Sequence, residues 1–222
     1  MFEDPWYNFI VPTVNIDKLD WDLSMKIIQS QQESGIKPSY YIKDVLKKSY
    51  KSKLDSLGFS EIGNDTYMYL KIKKKFEKVD IQAEKISESE EKAYIKTAKS
   101  CFPDFSSEEK YCRYFFKIAK LNKNRDIIAS NLRIYEGKEI ASFSSIYGSK
   151  KQNIAYLHND GTAKSFRRRG YHSQLIKIRC NMAFDNGIEN IYAILEEGGA
   201  SYNSYLKLGF KPVVTYHLFS KI

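Results

Sequence analysis

Three cysteines, Cys101, Cys112 and Cys180, are too few and too irregularly spaced to build a disulfide framework or a zinc site. Without any Cys-x-x-Cys pair, they read as reduced thiols that serve as small hydrophobes, and no metal is expected. No apolar run approaches the ~18 residues that span a bilayer, so no membrane partner is expected. The opening residues Met1-Phe2-Glu3-Asp4-Pro5-Trp6 lack the basic and apolar regions of a signal peptide, and a cytoplasmic location is the expectation. A hydrophobic content of 42% excludes wholesale disorder.

What is present in excess is positive charge: 36 Lys+Arg against 27 Asp+Glu give a formal charge of +9 over 222 residues. That balance suits an anionic ligand, a nucleic-acid partner or plain solubility. The lysines are widely spread, which favours solubility for most of them. Only Lys73-Lys74-Lys75 and Arg167-Arg168-Arg169 cluster, and no zinc-finger or RNP-type aromatic signature accompanies either, so nucleic acid is the minor reading.

The second cluster lies in Phe166-Arg167-Arg168-Arg169-Gly170-Tyr171-His172, followed by the helix-forming run Ser173-Gln174-Leu175-Ile176-Lys177-Ile178-Arg179. Glycine and cations therefore stand where a strand yields to a helix. The first N–H groups of a helix have no intrahelical acceptor and the macrodipole is positive there, so such a junction can cradle a phosphate. A solvated basic loop or a nucleic-acid contact would look the same in isolation. Downstream comes Gly198-Gly199-Ala200-Ser201-Tyr202-Asn203-Ser204-Tyr205-Leu206-Lys207-Leu208-Gly209-Phe210.

Arg167-x-x-Gly170-x-His172 resembles the Arg/Gln-x-x-Gly-x-Gly/Ala signature of the GCN5-related N-acetyltransferase (GNAT) superfamily, with His172 departing from Gly or Ala. The second stretch is similar to that superfamily's small-residue helix start and Tyr-x-x-Leu-Gly-Phe. The resemblance covers roughly residues 79–222. It implies an α/β (α+β) fold: a mixed, mostly antiparallel central sheet with splayed strands and helices on both faces.

The pattern along the chain agrees with that order. Leu19, Leu23, Ile27 and Ile28 keep a helical period from Lys18 to Ser34, and a second helix is expected over Tyr41 to Leu57. Leu57-Gly58-Phe59 and a strand from Thr66 to Ile72 follow, echoing Leu208-Gly209-Phe210 and the β-rich Val213 to Ile222. Residues 1–76 thus read as a small N-terminal α/β subdomain resembling a degenerate half of the fold, although Leu-Gly-Phe is also a common helix exit. Residues 77–222 read as the acetyltransferase-like domain. Within it, Val79 to Ile86 suggests a strand, Ser87-Glu88-Ser89-Glu90 a capped start of helices running to about Lys120, and Leu132 to Tyr147 a hairpin turning at Glu136-Gly137-Lys138. A strand from Asn153 to Ala163, a helix from about Gly170 to Asn186, a buried strand Ile191 to Leu195 and a last helix before Gly209 complete it.

The resemblance further implies direct acetyl transfer from acetyl-CoA, as cosubstrate, to an amine acceptor on a small molecule or peptide. Thr162, Ala163, Arg167, Arg168, Arg169, Gly170, Tyr171, His172, Ser173 and Ser201 are then the cofactor-binding residues, Ser201 and Asn203 being read first as helix caps. Tyr205 matches the tyrosine that protonates the departing sulfur. A base must take the proton of an amine whose ordinary pKa is near ~10. Glu196 is the candidate, with Glu197, Asp160 and His158 beside it. Phe102, Phe105, Tyr111, Tyr114, Phe115 and Phe116 read as an acceptor pocket or, first, as the core face of a helix. A non-catalytic acyl-CoA-binding module is the alternative reading.

Overall fold

The computed structural model describes residues 8–77, 79–102, 109, 113–114, 116–117 and 125–221. In chain order the elements are β1 (Phe9–Ile10), α1 (Trp21–Glu33), β2 (Ser39–Lys43), α2 (Asp44–Ser56), β3 (Phe59–Lys71), β4 (Glu84–Lys85), α3 (Glu91–Cys101), β5 (Ile127–Glu136), β6 (Glu139–Ser149), β7 (Ile154–Thr162), α4 (Tyr171–Asp185), β8 (Asn190–Leu195), α5 (Ala200–Lys207) and β9 (Lys211–Lys221). The fold is a mixed α/β one with a mostly antiparallel open sheet. Among the described residues no helix is long and apolar enough to cross a membrane.

The chain forms two compact units. Unit 1 comprises Met1–Tyr67, Leu195–Glu197 and Pro212–Ile222; unit 2 comprises Met68–Ile194 and Gly198–Lys211. The two units interleave along the chain, because strand pairing ignores chain order.

In unit 1 the strands lie in the order β1, β2, β9, β3. β1 runs parallel to β2, and β2 antiparallel to β9 with Tyr41 opposite Leu218 and Lys43 opposite Tyr216. Alternation sends Tyr40, Ile42 and Phe219 to one face, where they pack with Ile28 of α1 and Tyr50 and Leu54 of α2. Leu23 and Ile27 keep the helical period but stay exposed, so α1 is anchored largely through Ile28. The helix expected from Tyr41 instead begins at Asp44, because Ser39-Tyr40-Tyr41-Ile42 is β-branched and aromatic and finds a strand partner in β9.

In unit 2 the order is the end of β3, then β8, β7, β6, β5, β4. The β4–β5, β5–β6 and β6–β7 pairs are antiparallel and β7–β8 is parallel. The strand expected over Val79 to Ile86 shrinks to Glu84–Lys85. The capping box forms as the sequence predicts: Ser87 N–H donates to Glu90 Oε2 at 2.7 Å, and a 3-10 turn over Glu88–Glu90 leads into α3. Arg133 opposes Phe143 and Ile134 opposes Ser142, so Phe143 and Ile134 point to opposite faces. Phe143 packs with Tyr94, Ile95 and Ala98 of α3, and Ile134 with Leu175 of α4, which places helices on both faces. The helical run expected to reach Lys120 lies partly outside the described residues, as do Phe105, Tyr111, Phe115 and Cys112; Phe116 is buried beside Tyr94 and Tyr114 is exposed.

Candidate active site

Strand β7 keeps β6 along its whole length but loses β8 part-way. Its parallel register with β8 ends at Leu157 opposite Ala193. On the β6 side the register slips between Phe143 and Ser145, and Asn159 takes φ 57°, the left-handed backbone of a bulge. From His158 to Thr162 one edge of β7 is therefore without a strand partner among the described residues. Gly161 is required here by space, because a Cβ would run into the ring of Phe143, which is fully buried and held edge-on by Tyr94. Gly161→Ala is expected to cost about 1–3 kcal/mol of stability, read as a fall in thermal midpoint.

After Thr162 the chain turns through a 3-10 segment, Lys164–Phe166, to Gly170, the N-cap of α4 at φ 82°. Arg168 also sits at positive φ, 66°, a conformation that costs a non-glycine residue energy and shapes the loop. No side chain caps α4, which leaves the first-turn amides of Tyr171, His172 and Ser173 without an intrahelical or capping acceptor. These three residues border a cavity of about 580 Å³ that is also lined by Asp160, Gly161 and Thr162 of β7, Arg167 and Arg168 of the loop, and Ala200, Ser201 and Ser204 of α5.

Behind the cavity lies a buried charge network. Arg179 is fully enclosed: its Nη2 donates to Asp160 Oδ2 at 2.7 Å, and its Nη1 lies 2.5 Å from Oδ1 as an ion pair without hydrogen-bond alignment. It also donates to the carbonyls of Ser145 at 2.9 Å and Leu175 at 3.1 Å, tying β6, the β7 bulge and α4 together. Tyr205 O–H donates to Asp160 Oδ2 at 2.8 Å, and His172 Nε2 stands 3.3 Å from the same oxygen. Burial alone would raise the Asp160 pKa, but the Arg179 guanidinium outweighs it and holds the carboxyl well below the usual range. Burial pushes the Tyr205 phenol well up and the adjacent Asp160 adds to it, with Arg179 opposing.

The sequence pattern of the Acetyltransferase (GNAT) family matches residues 87–210, more than half of the chain. The chain belongs to the GNAT acetyltransferase family. A GCN5-related N-acetyltransferase from Sphaerobacter thermophilus has a similar structure, with a TM-score of 0.73 at 12% identity, covering 99% of this chain and 74% of that one. A GCN5-related N-acetyltransferase from Kribbella flavida superposes with a TM-score of 0.64 at 14% identity over 96% of this chain and 80% of its own. A tandem GNAT protein from the clavulanic acid biosynthesis pathway gives 0.65 at 9% identity, with 90% and 68% covered. No curated protein matches the chain.

Of the residues the GNAT resemblance assigns to the cofactor, Thr162, Arg167, Arg168, Gly170, Tyr171, His172, Ser173 and Ser201 line the cavity. Ala163 and Arg169 do not. The Ala163 N–H bonds the Ala141 carbonyl at 3.0 Å, and Arg169 pairs with Glu136 at 2.8 Å while lying over the ring of Phe166. The expected capping by Ser201 and Asn203 is absent: Gly199 is the N-cap of α5, no side chain caps it, and both residues lie within the helix. Glu196 and Glu197 are exposed residues of unit 1. Arg179 escaped the sequence reading, yet the signal was there. Leu175, Ile176, Arg179, Cys180 and Ala183 form the buried stripe of α4, so an arginine on the apolar period marks an enclosed partner.

His158 rests against Tyr156, whose hydroxyl lies 3.0 Å from Nδ1, and burial pushes its pKa down from 6.5 to about 4. Its unfolded state takes up a proton before the folded state does. Stability should therefore decline as pH falls from 6.5 towards 4. Below about 4, protonation of Asp160 in the unfolded chain adds a second loss in the same direction. Thermal midpoints from pH 8 to 3 measure both. His158→Gln should flatten the upper part of the curve, and an unchanged slope there would reject the assignment to His158.

Proposed function

We propose that the protein transfers the acetyl group of acetyl-CoA to a primary amine on a small molecule or peptide. The observation carrying this reading is the meeting, in one cavity, of an uncapped helix start, two arginines and a strand edge without a strand partner among the described residues. The pyrophosphate would accept from the amides of Tyr171, His172 and Ser173, with Arg167 and Arg168 supplying charge. The pantetheine amides would pair with β7 at Asp160 to Thr162. Relatives described as N-acetyltransferases support the choice of an amine acceptor.

The neutral amine attacks the thioester carbonyl, a C–N bond forms and the C–S bond breaks. Glu196, directly after β8, is proposed to take the amine proton, and Tyr205 to supply one to the departing thiolate. Because the Tyr205 hydroxyl donates to Asp160, its O–H must turn from that carboxylate to the sulfur. Tyr205→Phe is expected to lower kcat by about 100-fold while changing acetyl-CoA affinity less than about twofold. Equal turnover would remove the tyrosine from the reaction.

The engagement of Tyr205 with Asp160 is also what favours a second reading, an acyl-CoA-binding module without turnover. Calorimetric titration with acetyl-CoA and CoA, followed by an assay for thiol release over a panel of amines, decides. Binding with release supports transfer, binding without release supports the module, and no binding to either ligand rejects both.

A further inference from the structure

Unit 1 carries a cluster that its core does not use. Helices α1 and α2 cover the face of its sheet that holds Tyr40, Ile42 and Phe219. Tyr41 and Tyr216 lie on the opposite face as diagonal neighbours across the β2–β9 pair, their rings stacked at 4.7 Å and 6°. Phe9 stacks on Tyr41 at 4.5 Å, so Tyr41 is sandwiched and only 3% exposed. Tyr67 meets Tyr216 edge-on at 5.7 Å, and both of these rings stay half-buried.

One carboxylate stands at this aromatic wall and a second lies on the segment beside it. Asp65 shares a strand face with Tyr67, two residues on, and its Oδ2 accepts from Tyr41 O–H at 2.9 Å. The Glu197 N–H donates to Asn64 Oδ1 at 3.0 Å, which holds the Leu195–Glu197 segment against β3. Burial raises the Asp65 pKa, and the charge of Glu196 raises it further. In a chain with 36 Lys+Arg, no described cation forms an ion pair with either carboxylate, and Lys43, opposite Tyr216 on the neighbouring strand, reaches neither.

We propose that unit 1 carries a binding site for an organic ammonium group, formed by the carboxylates of Asp65 and Glu196 and the rings of Tyr67 and Tyr216. Aromatic faces attract a cation through their quadrupole, and a half-buried carboxylate beside an exposed one of like charge gains from a positive group between the two. A magnesium or calcium ion would need six or more oxygens around it, which two carboxylates among rings do not supply. An alkylammonium ion meets both demands, its charge on the acids and its carbon stem on the tyrosines. As an ammonium site within unit 1 it stands without the acetyl-transfer reading.

The test is a titration of the full chain with n-butylammonium chloride and with neutral n-butanol, followed by NMR of the tyrosine ring signals. Saturable shifts at Tyr67 and Tyr216 are expected with butylammonium, and butanol should bind at least about tenfold more weakly. Asp65→Asn should weaken butylammonium at least about fivefold, and Glu196→Gln, an exposed change that leaves the fold intact, about threefold. Equal responses to amine and alcohol, no saturation, or unchanged affinity in Glu196→Gln would overturn the site. Acetyl-CoA is titrated into the same samples. Butylammonium binding without acetyl-CoA binding would leave the site standing and remove the transfer reading, whereas the reverse result would remove the site alone.

Discussion

Replacing Arg179 with methionine is expected to destabilise the protein by about 3–5 kcal/mol, because it leaves the Asp160 carboxylate buried without its cation. The side chain of Arg179 is 0% exposed and that of Asp160 9%, so water cannot take over the lost contacts. The carbonyls of Ser145 and Leu175 lose donors as well, each a further cost where the backbone is enclosed. Asp160→Asn should be nearly as harmful, since it strands the guanidinium. The double variant should lose less than the sum of the two, because charge and countercharge leave together. Chemical denaturation of the four proteins measures this cycle. Additive losses would mean that the pair does not act as a unit. Acetyl-CoA affinity in the surviving variants should also fall, since the pair fixes the β7 bulge that borders the cavity.

The second large effect concerns the cradle. Reversing Arg167 and Arg168 to glutamate should weaken acetyl-CoA binding by about 100-fold at low salt, two cationic contacts being exchanged for repulsion. Much of the difference should vanish as the ionic strength approaches ~1 M, where the screening length shrinks to about 3 Å. Arg169 offers the contrast. Its guanidinium lies on Glu136 and Phe166 and does not line the cavity, so Arg169→Gln should change affinity only about twofold, the ordinary scale of an exposed pair. Calorimetry at two salt concentrations separates these outcomes, and a salt-independent loss in the double variant would point to a collapsed loop.

The sequence made this glycine-and-arginine junction legible because local chemistry writes it: Gly170 can take positive φ, and a helix start must leave amides open. The Leu-Gly-Phe exits were legible for the same reason, with Gly58 at φ 78° and Gly209 at φ 90°. The division of labour among the three arginines was not legible, since it depends on Glu136 arriving from the end of β5. The sequence pattern places Tyr41 to Lys43 in a helix because the decisive strand partner of that stretch, β9, is remote along the chain. The Asp160–Arg179–Tyr205 network was hidden in the same way: Tyr205 was visible as a motif position, but what its hydroxyl touches is a matter of tertiary packing. Leu-Gly-Phe after α2 and after α5 shows an echo of form, while the residues that echo would place at a phosphate loop are missing from the first 76.

The interleaving of the units also sets an order of events during synthesis. Every residue of unit 2 has been made once Lys211 is in place, whereas β2 of unit 1 must wait for residues 216–220 before its antiparallel partner exists. The unit that holds the earlier residues is thus the later one to close its sheet. Until then Tyr40 and Ile42 lie on a bare strand edge, and a contact of such sequence separation forms slowly. Strand β9, the latest of these strands along the chain, completes the unit whose first strand comes earliest.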